Sequence, residues 1–465
     1  TIKYISFLKM FGIILPILFI LISCKVTPPE PSNGSKGNGM LIVEDVGVTD
    51  AVLHLRVPGG FKSRNITLKR LPAEQAGDTT TILSRQVTSL DTIVIDEKLL
   101  PKHSYKYTLT VEDFLNLRER SYADVVTMDT TSHEFTWQID TLGDGNSSIL
   151  RDVAIVNDTC VYAVGEIYKK DSTGQIETTP YNAARWDGRK WNLIRIQFRL
   201  DYGTSVIYSY MGIKSLFAVS PEDIWFVHNV GGITRLKDGQ WMMMNFKLID
   251  GPGGANKIWG TSSNNLYFVG SVGRIVKYDG NIWQKIESGT DVNLTDVWGS
   301  PDGKVVWTCG WEDFKPTVLL KYENGILTKQ YEEYSDRFRI REDSLSGVLI
   351  GGGVVQRKSM VILSNYGIYK TSWDTRGKGR RIFETYDGFT GFPFSMRAND
   401  INDIMIAGTG GYIAHYNGVN FHRYEEATAG NVYFYSADIK KNIAAVVGEI
   451  YHPYNGKGIV YIGKR

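Results

Sequence analysis

Ile258-Trp-Gly-Thr-Ser-Ser-Asn-Asn-Leu-Tyr-Phe-Val-Gly270, followed by Gly273-Arg-Ile-Val-Lys-Tyr-Asp-Gly-Asn-Ile-Trp283, is a unit that the chain repeats. The preceding copy runs Leu216-Phe-Ala-Val-Ser-Pro-Glu-Asp-Ile-Trp-Phe-Val227, then Gly232-Ile-Thr-Arg-Leu-Lys-Asp-Gly-Gln-Trp241. The next opens at Val297-Trp-Gly299, reaches Cys309-Gly310 and turns at Glu323-Asn-Gly325. Further copies span Val153 to Trp191, Asp400 to Phe421 and, in degenerate form, Ser346 to Phe383. Each copy supplies a strand of the Val-Trp-Gly type, a second ending in Val-Gly, a third, and an Asp-Gly or Asn-Gly turn. Such turns need positive φ, which glycine permits. The Trp or Phe after the turn (Trp191, Trp241, Trp283, Phe421) opens an outer strand that covers the sheet's apolar face.

A lone four-stranded sheet of this kind cannot bury both faces, and radial stacking of several can, which predicts a β-propeller. The last copy, Ile443 to Gly463, lacks an outer strand, while Phe135-Thr-Trp-Gln-Ile139 precedes the first copy without partners. The two ends are expected to share one blade and close a ring of seven, with six or eight blades as the alternatives, over residues 131–465.

Composition agrees with an all-β chain and narrows its function. Among 465 residues there are 48 Gly, 26 Tyr and 11 Trp. Lys and Arg (52) nearly balance Asp and Glu (50), so no field of one sign points to nucleic acid. Of the three cysteines, Cys160 and Cys309 read as buried, unreactive strand thiols. The seven histidines show no zinc-like spacing, and His415 and His422 read as ordinary strand residues. No metal or cofactor is expected.

The N-terminus carries a different signal. Lys3 and Lys9 lead into the apolar run Phe11–Ile20 and then Leu21-Ile-Ser-Cys24, which reads as a secretory signal over residues 1–24. The Leu-x-Ser-Cys end resembles the lipobox of bacterial lipoproteins. That resemblance implies a lipid on Cys24, a membrane as partner, and a cell-envelope location. Lys25 in place of an acidic residue favours the outer membrane, on its periplasmic side or at the cell surface. Residues 25–39, rich in Pro, Gly, Ser and Asn, read as a flexible tether. Residues 40–130 alternate as short strands, for example Ala51-Val-Leu-His-Leu-Arg-Val57. Leu100-Pro101 with Tyr105 and Tyr107 resembles the tyrosine corner of fibronectin type III domains, implying a β-sandwich in front of the propeller.

Connections after each outer strand, and those between second and third strands, should share one face. That face holds the candidate ligand residues: Tyr202, Tyr208 and Tyr210 in one loop, and Tyr386, Phe389 and Phe392 in another. It also holds Val164-Gly-Glu166-Ile-Tyr168 and its copy Val447-Gly-Glu449-Ile-Tyr451, which ring closure would make neighbours. Two carboxylates beside aromatic plates suit a sugar, and such pairs also hydrolyse glycosides. The blander reading of the copied word is a shared turn with solvated glutamates. Ser300-Pro-Asp-Gly303 approaches the Asp-box of sialidase-like propellers, but its glycine falls one place early, and it reads as a tight turn. No nucleophile elbow or phosphate loop is present. The repeat rhythm resembles bacterial secreted propellers related to photosystem II assembly factors, some of which carry a glucosyltransferase label. That resemblance implies fold more than function. The chain is therefore expected to be a monomeric, lipid-anchored binding or scaffold protein for a protein or glycan, without catalytic residues. The alternative is a glycoside hydrolase-like enzyme using acidic residues on the propeller face.

Overall fold

The computed structural model describes residues 39–59, 62–72, 79–115, 117–201, 204–229, 231–244, 254–334, 344–354, 359–372, 379–384, 391–425 and 430–465. Among them, all named elements are β-strands. The N-terminal unit packs two antiparallel sheets around one core. One sheet orders Leu41–Val46, Asp50–Val57 and Leu90–Glu97. The other orders Thr80–Val87, Arg64–Pro72, Ser104–Glu112 and Arg118–Val126. Strand alternation sends Leu53, Leu55 and Val57 inward, as period two requires. The Leu100 N–H donates to the Tyr105 phenol oxygen at 2.9 Å, while the Tyr107 hydroxyl donates to buried Asp96 at 2.6 Å.

The rest of the chain forms seven four-stranded antiparallel sheets, numbered I to VII. Their first strands are Ile149–Asn157, Ile213–Ser220, Ala255–Ser262, Leu294–Gly299, Leu349–Val354, Pro393–Asp400 and Val432–Lys440. Each first strand contacts that of the next sheet, and the first strand of VII contacts that of I, so all seven stand around one axis. The outer strand of sheet VII is Thr136–Leu142, paired with Lys457–Lys464 so that Trp137 lies opposite Gly463.

The recurring words of the sequence have distinct packing roles. Two first-strand glycines, Gly299 of a Val-Trp-Gly copy and Gly352, are slots for a tryptophan of the preceding sheet, whereas Gly260 lies against Asn265 and Leu266 of its own sheet. A Cβ on Gly299 would fall 2.2 Å from the Trp259 ring, and one on Gly352 2.4 Å from the Trp298 ring. The glycine of Val-Gly accommodates a β-bulge. Near the start of every first strand the ladder skips a residue: Arg151, Lys214, Asn256, Thr295, Ile350, Phe394 and Tyr435. The bulge presses that strand onto the end of the second strand, where Gly165, Gly270, Gly310, Gly408 and Gly448 stand. A Cβ at any of these five would lie 1.8–2.5 Å from a carbonyl oxygen of the facing strand. In sheets II and V the position is held by His228 and Ser364.

Below the bulges, buried polar groups join the sheets. Asp152 of sheet I accepts hydrogen bonds from Ser215 (2.7 Å, sheet II), Lys257 (2.6 Å, III) and Ser436 (2.7 Å, VII). Asp296 of sheet IV receives both Arg397 nitrogens from VI (2.8 and 2.9 Å) and the Gly352 N–H from V (3.2 Å). Asn256 donates to Leu294 O (3.0 Å), and the Ala437 N–H donates to Ser395 (3.1 Å), which links these two clusters into a ring.

The sandwich docks on sheets V and VI, on the side away from the bulges. Buried Asp50 pairs with Lys370 (3.1 Å) and Arg380 (2.9 Å), and Asp45 accepts from Ser359. The connecting segment is held by sheet VI as well. His415 and His422 are not both plain strand residues. His415 is fully buried, with Nε2 2.7 Å from Asp403 and Nδ1 2.8 Å from His133 Nδ1 in the connecting segment. Ionised Asp403 accepts a hydrogen bond from the His415 Nε2–H, so the neutral ring's Nδ1 accepts from His133. Arg465, His422 and the Asn420 amide complete the surroundings.

Two predictions follow from this packing. Gly448→Ala, whose Cβ would meet the Tyr433 carbonyl, should cost at least about 2 kcal/mol in thermal or denaturant unfolding. Gly430→Ala, with no atom within 4 Å of the new Cβ, should be near neutral. Equal losses would remove the role given to the bulge glycines. Burial also holds the protonation of His133 below its usual range and takes His228 down to about 3. The unfolded chain therefore binds more protons below the ordinary histidine pKa, and stability falls as pH drops through it. Between about pH 7 and about pH 5 the fall in Tm should be smaller in His133→Gln than in the parent. An identical fall would show that the His133–His415 contact is not proton-sensitive.

Candidate functional site

The seven bulged side chains ring the axis at the start of the first strands. With the residues beside them they line a cavity of about 140 Å³, including Arg151, Lys214, Asn256, Thr295, Phe394 and Tyr435. A bulge frees its residue from the ladder and re-aims it, and here the re-aiming is toward the axis. The layer beneath is electrostatically settled. Burial opposes ionisation of Asp152, but Lys257, Ser436 and Ser215 outweigh it and hold its pKa below the usual carboxylate value. Asp438, further along the first strand of sheet VII, accepts from the backbone N–H groups of Ile155 and Ile439 and is pushed up by burial.

From this mouth a row of rings runs outward across the same face. Tyr435 and Phe394 are 5.4 Å apart between ring centroids, Phe394 and Phe392 5.6 Å, and Phe392 and Trp311 6.1 Å. The row ends in a groove of about 640 Å³ lined by Trp311, Phe392, Tyr334 and fully exposed Phe314, with Glu312 and Lys315 at its edge. Neighbouring connections on this face are tied by backbone bonds such as Thr409 N–H to Phe392 O (2.9 Å) and Trp311 N–H to Asn293 O (3.2 Å).

The residues singled out in the sequence fare unequally. Phe392 stands in the aromatic row. Tyr208 is exposed on the hairpin formed by Phe198–Asp201 and Val206–Ser209, Tyr210 is half-buried beside it, and Phe198 anchors the hairpin by stacking on His228 at 4.3 Å. Tyr202, Tyr386, Phe389 and Cys24 lie outside the described residues. The two glutamates each have a partner of their own. Glu166 accepts from Asn229 (2.7 Å), and Glu449 from the Tyr435 hydroxyl (2.7 Å). Glu449 is buried, which corrects the expectation of a solvated turn glutamate. Tyr168 is half-buried near Glu166, and Tyr451 is exposed beside Tyr433. The bulge residues escaped the sequence reading. Their signal was a column of unlike residues, each preceded by an apolar residue or proline and followed by a polar residue or glycine (Leu150-Arg151-Asp152, Ile213-Lys214-Ser215, Leu294-Thr295-Asp296), which looks like strand noise until the bulge is seen.

No protein-family model matches the chain, and no curated protein does. Among solved structures, one described as YCF48 bound to D1 peptide is 13% identical, covers 72% of this chain and 97% of its own, and superposes with a TM-score of 0.52. YCF48 from Cyanidioschyzon merolae is 13% identical over 70% and 98% of the two chains, at 0.48. The WD40 β-propeller domain of Doa1 is 15% identical over 71% and 98%, at 0.49. Together with the ring of four-stranded sheets, the first likeness defines the larger part of this chain as a β-propeller.

Proposed function

We propose that the chain is a partner-binding scaffold whose loop face takes an extended segment of another protein, laid along the row from Trp311 to Tyr435. The observation that carries this reading is the continuity of that row with both the outer groove and the axial mouth. Contiguous aromatic faces reward an elongated apolar ligand, and rings bury large area at little entropic cost. The peptide held by the YCF48 structure gives the reading a precedent in fold. In this reading the seven sheets are the blades of a closed propeller, with the strand around Trp137 completing the seventh. The N-terminal unit is a fibronectin type III-type sandwich. Lipid on Cys24 would tether the protein to the outer membrane of a bacterial envelope. Docking of the sandwich on the far side of sheets V and VI supports an orientation in which the binding face points away from the tether.

The glycoside hydrolase alternative gains no support, since Glu166 and Glu449 are each engaged by a neighbour. Peptides selected on the full chain from a random display library should bind Trp311→Ala and Phe394→Ala at least about tenfold more weakly. Selected peptides that bind both variants as well as the parent would refute the aromatic track. Binding confined to a glycan array and dependent on the same rings would replace the peptide with a sugar. The anchor has its own test. Radiolabelled palmitate should enter the expressed full-length chain and be absent from Cys24→Ser; equal labelling of both would remove the lipid.

A further inference from the structure

Of the seven side chains that the bulges turn to the axis, two carry charge. Arg151 and Lys214 come from adjacent sheets, and both are cations. Among the described residues neither forms an ion pair; Lys214 Nζ reaches only the Asn256 side-chain oxygen at 3.3 Å. The nearby carboxylates are committed elsewhere. Asp152 is held by Lys257 and Asp296 by Arg397. Glu449 accepts from Tyr435, and Glu166 from Asn229. Burial, and then the charge of Arg151, hold the Lys214 ammonium below its usual pKa. Lys214, half-buried, and Arg151, exposed beside it, repel one another at the mouth, and an anion placed between them relieves that repulsion. Among the described residues the buried charges on the axis have a counter-charge or backbone donors, so half-buried Lys214 and the exposed Arg151 beside it stand out against a layer that is otherwise settled. The cavity, at about 140 Å³, has room for a small anionic group and the first carbons behind it. It falls well short of the few hundred Å³ typical of larger ligands. Two walls are the rings of Phe394 and Tyr435, which favour an anion borne on carbon over a fully hydrated inorganic one.

We infer that the axial mouth is a carboxylate site in which Arg151 and Lys214 grip the group and Phe394 and Tyr435 flank the carbons that carry it. This rests on the peptide reading above for the origin of the carboxylate, which is an acidic side chain or a chain end of the partner segment. The guanidinium offers paired donors and the ammonium a point charge, a combination suited to one oxygen pair.

The test uses the full chain at low ionic strength, with binding read by calorimetry and by thermal shift. N-acetylalanine presents a chain-end carboxylate, N-acetylglutamate α-amide a side-chain carboxylate, and N-acetylglutamine amide neither. At least one carboxylate probe should bind saturably and the neutral probe should not, and the stronger arm identifies the source. Lys214→Met and Arg151→Met should each weaken that binding about tenfold or more. Without probe, neither variant should melt below the parent, because each removes an uncompensated cation. Binding that is equal for the neutral probe, unchanged in both variants, or weaker than that of inorganic phosphate would overturn the assignment. The probes touch only the mouth, so their failure would leave the Trp311 and Phe394 results on selected peptides standing, and the reverse also holds.

Discussion

Two buried carboxylates hold the axis together. Asp152 gathers sheets I, II, III and VII, and Asp296 gathers IV, V and VI. First strands converging on an axis leave too little room there for interdigitated apolar side chains. Polar and charged residues that bond one another, among them Lys257 and Arg397, occupy that space. Each carboxylate is desolvated, and each recovers the cost through a cation and further donors. Loss of one partner from such a cluster leaves a buried charge without compensation, which typically costs about 3–5 kcal/mol. The apolar clusters between sheets supply most of the burial. The carboxylates fix how the wedges are rotated against one another.

That rotation is what makes a site. A bulge in one strand re-aims one side chain, and seven bulges at equivalent heights re-aim seven to a common point. The glycines opposite are the steric condition for it. With a Cβ at Gly448 the Tyr433 carbonyl could not approach, the strand would straighten, and Tyr435 would leave the mouth. Binding chemistry at the axis and the Val-Gly rhythm are thus one feature seen from two sides. The sandwich, fastened through Asp50 to Lys370 and Arg380 on the far side, leaves this mouth uncovered.

Much of the architecture was legible in the residues. The Val-Trp-Gly and Asp-Gly words mark strand ends because backbone sterics at those points tolerate little else. The unpartnered strand at Trp137 could be matched to the incomplete copy at Ile443–Gly463 by counting. The site was less legible. Phe392 was found because aromatic loops are conspicuous. Arg151 and Lys214 were missed because a charged residue inside an apolar strand ordinarily points to solvent, and nothing local says that a bulge has turned it inward. His415 was misread for a related reason, since its partners His133 and Asp403 lie 282 and 12 residues away.

By itself the sequence determined the strand and turn inventory and the repeat, which depend on contacts within a few residues or on composition. Only the tertiary structure decided which side chains meet. The pairing of Asp152 with Lys257, the row from Trp311 to Tyr435 and the two cations at the mouth join residues from different sheets. Their distances are set by the number of wedges and the angle between them, and no local stretch of chain encodes that angle.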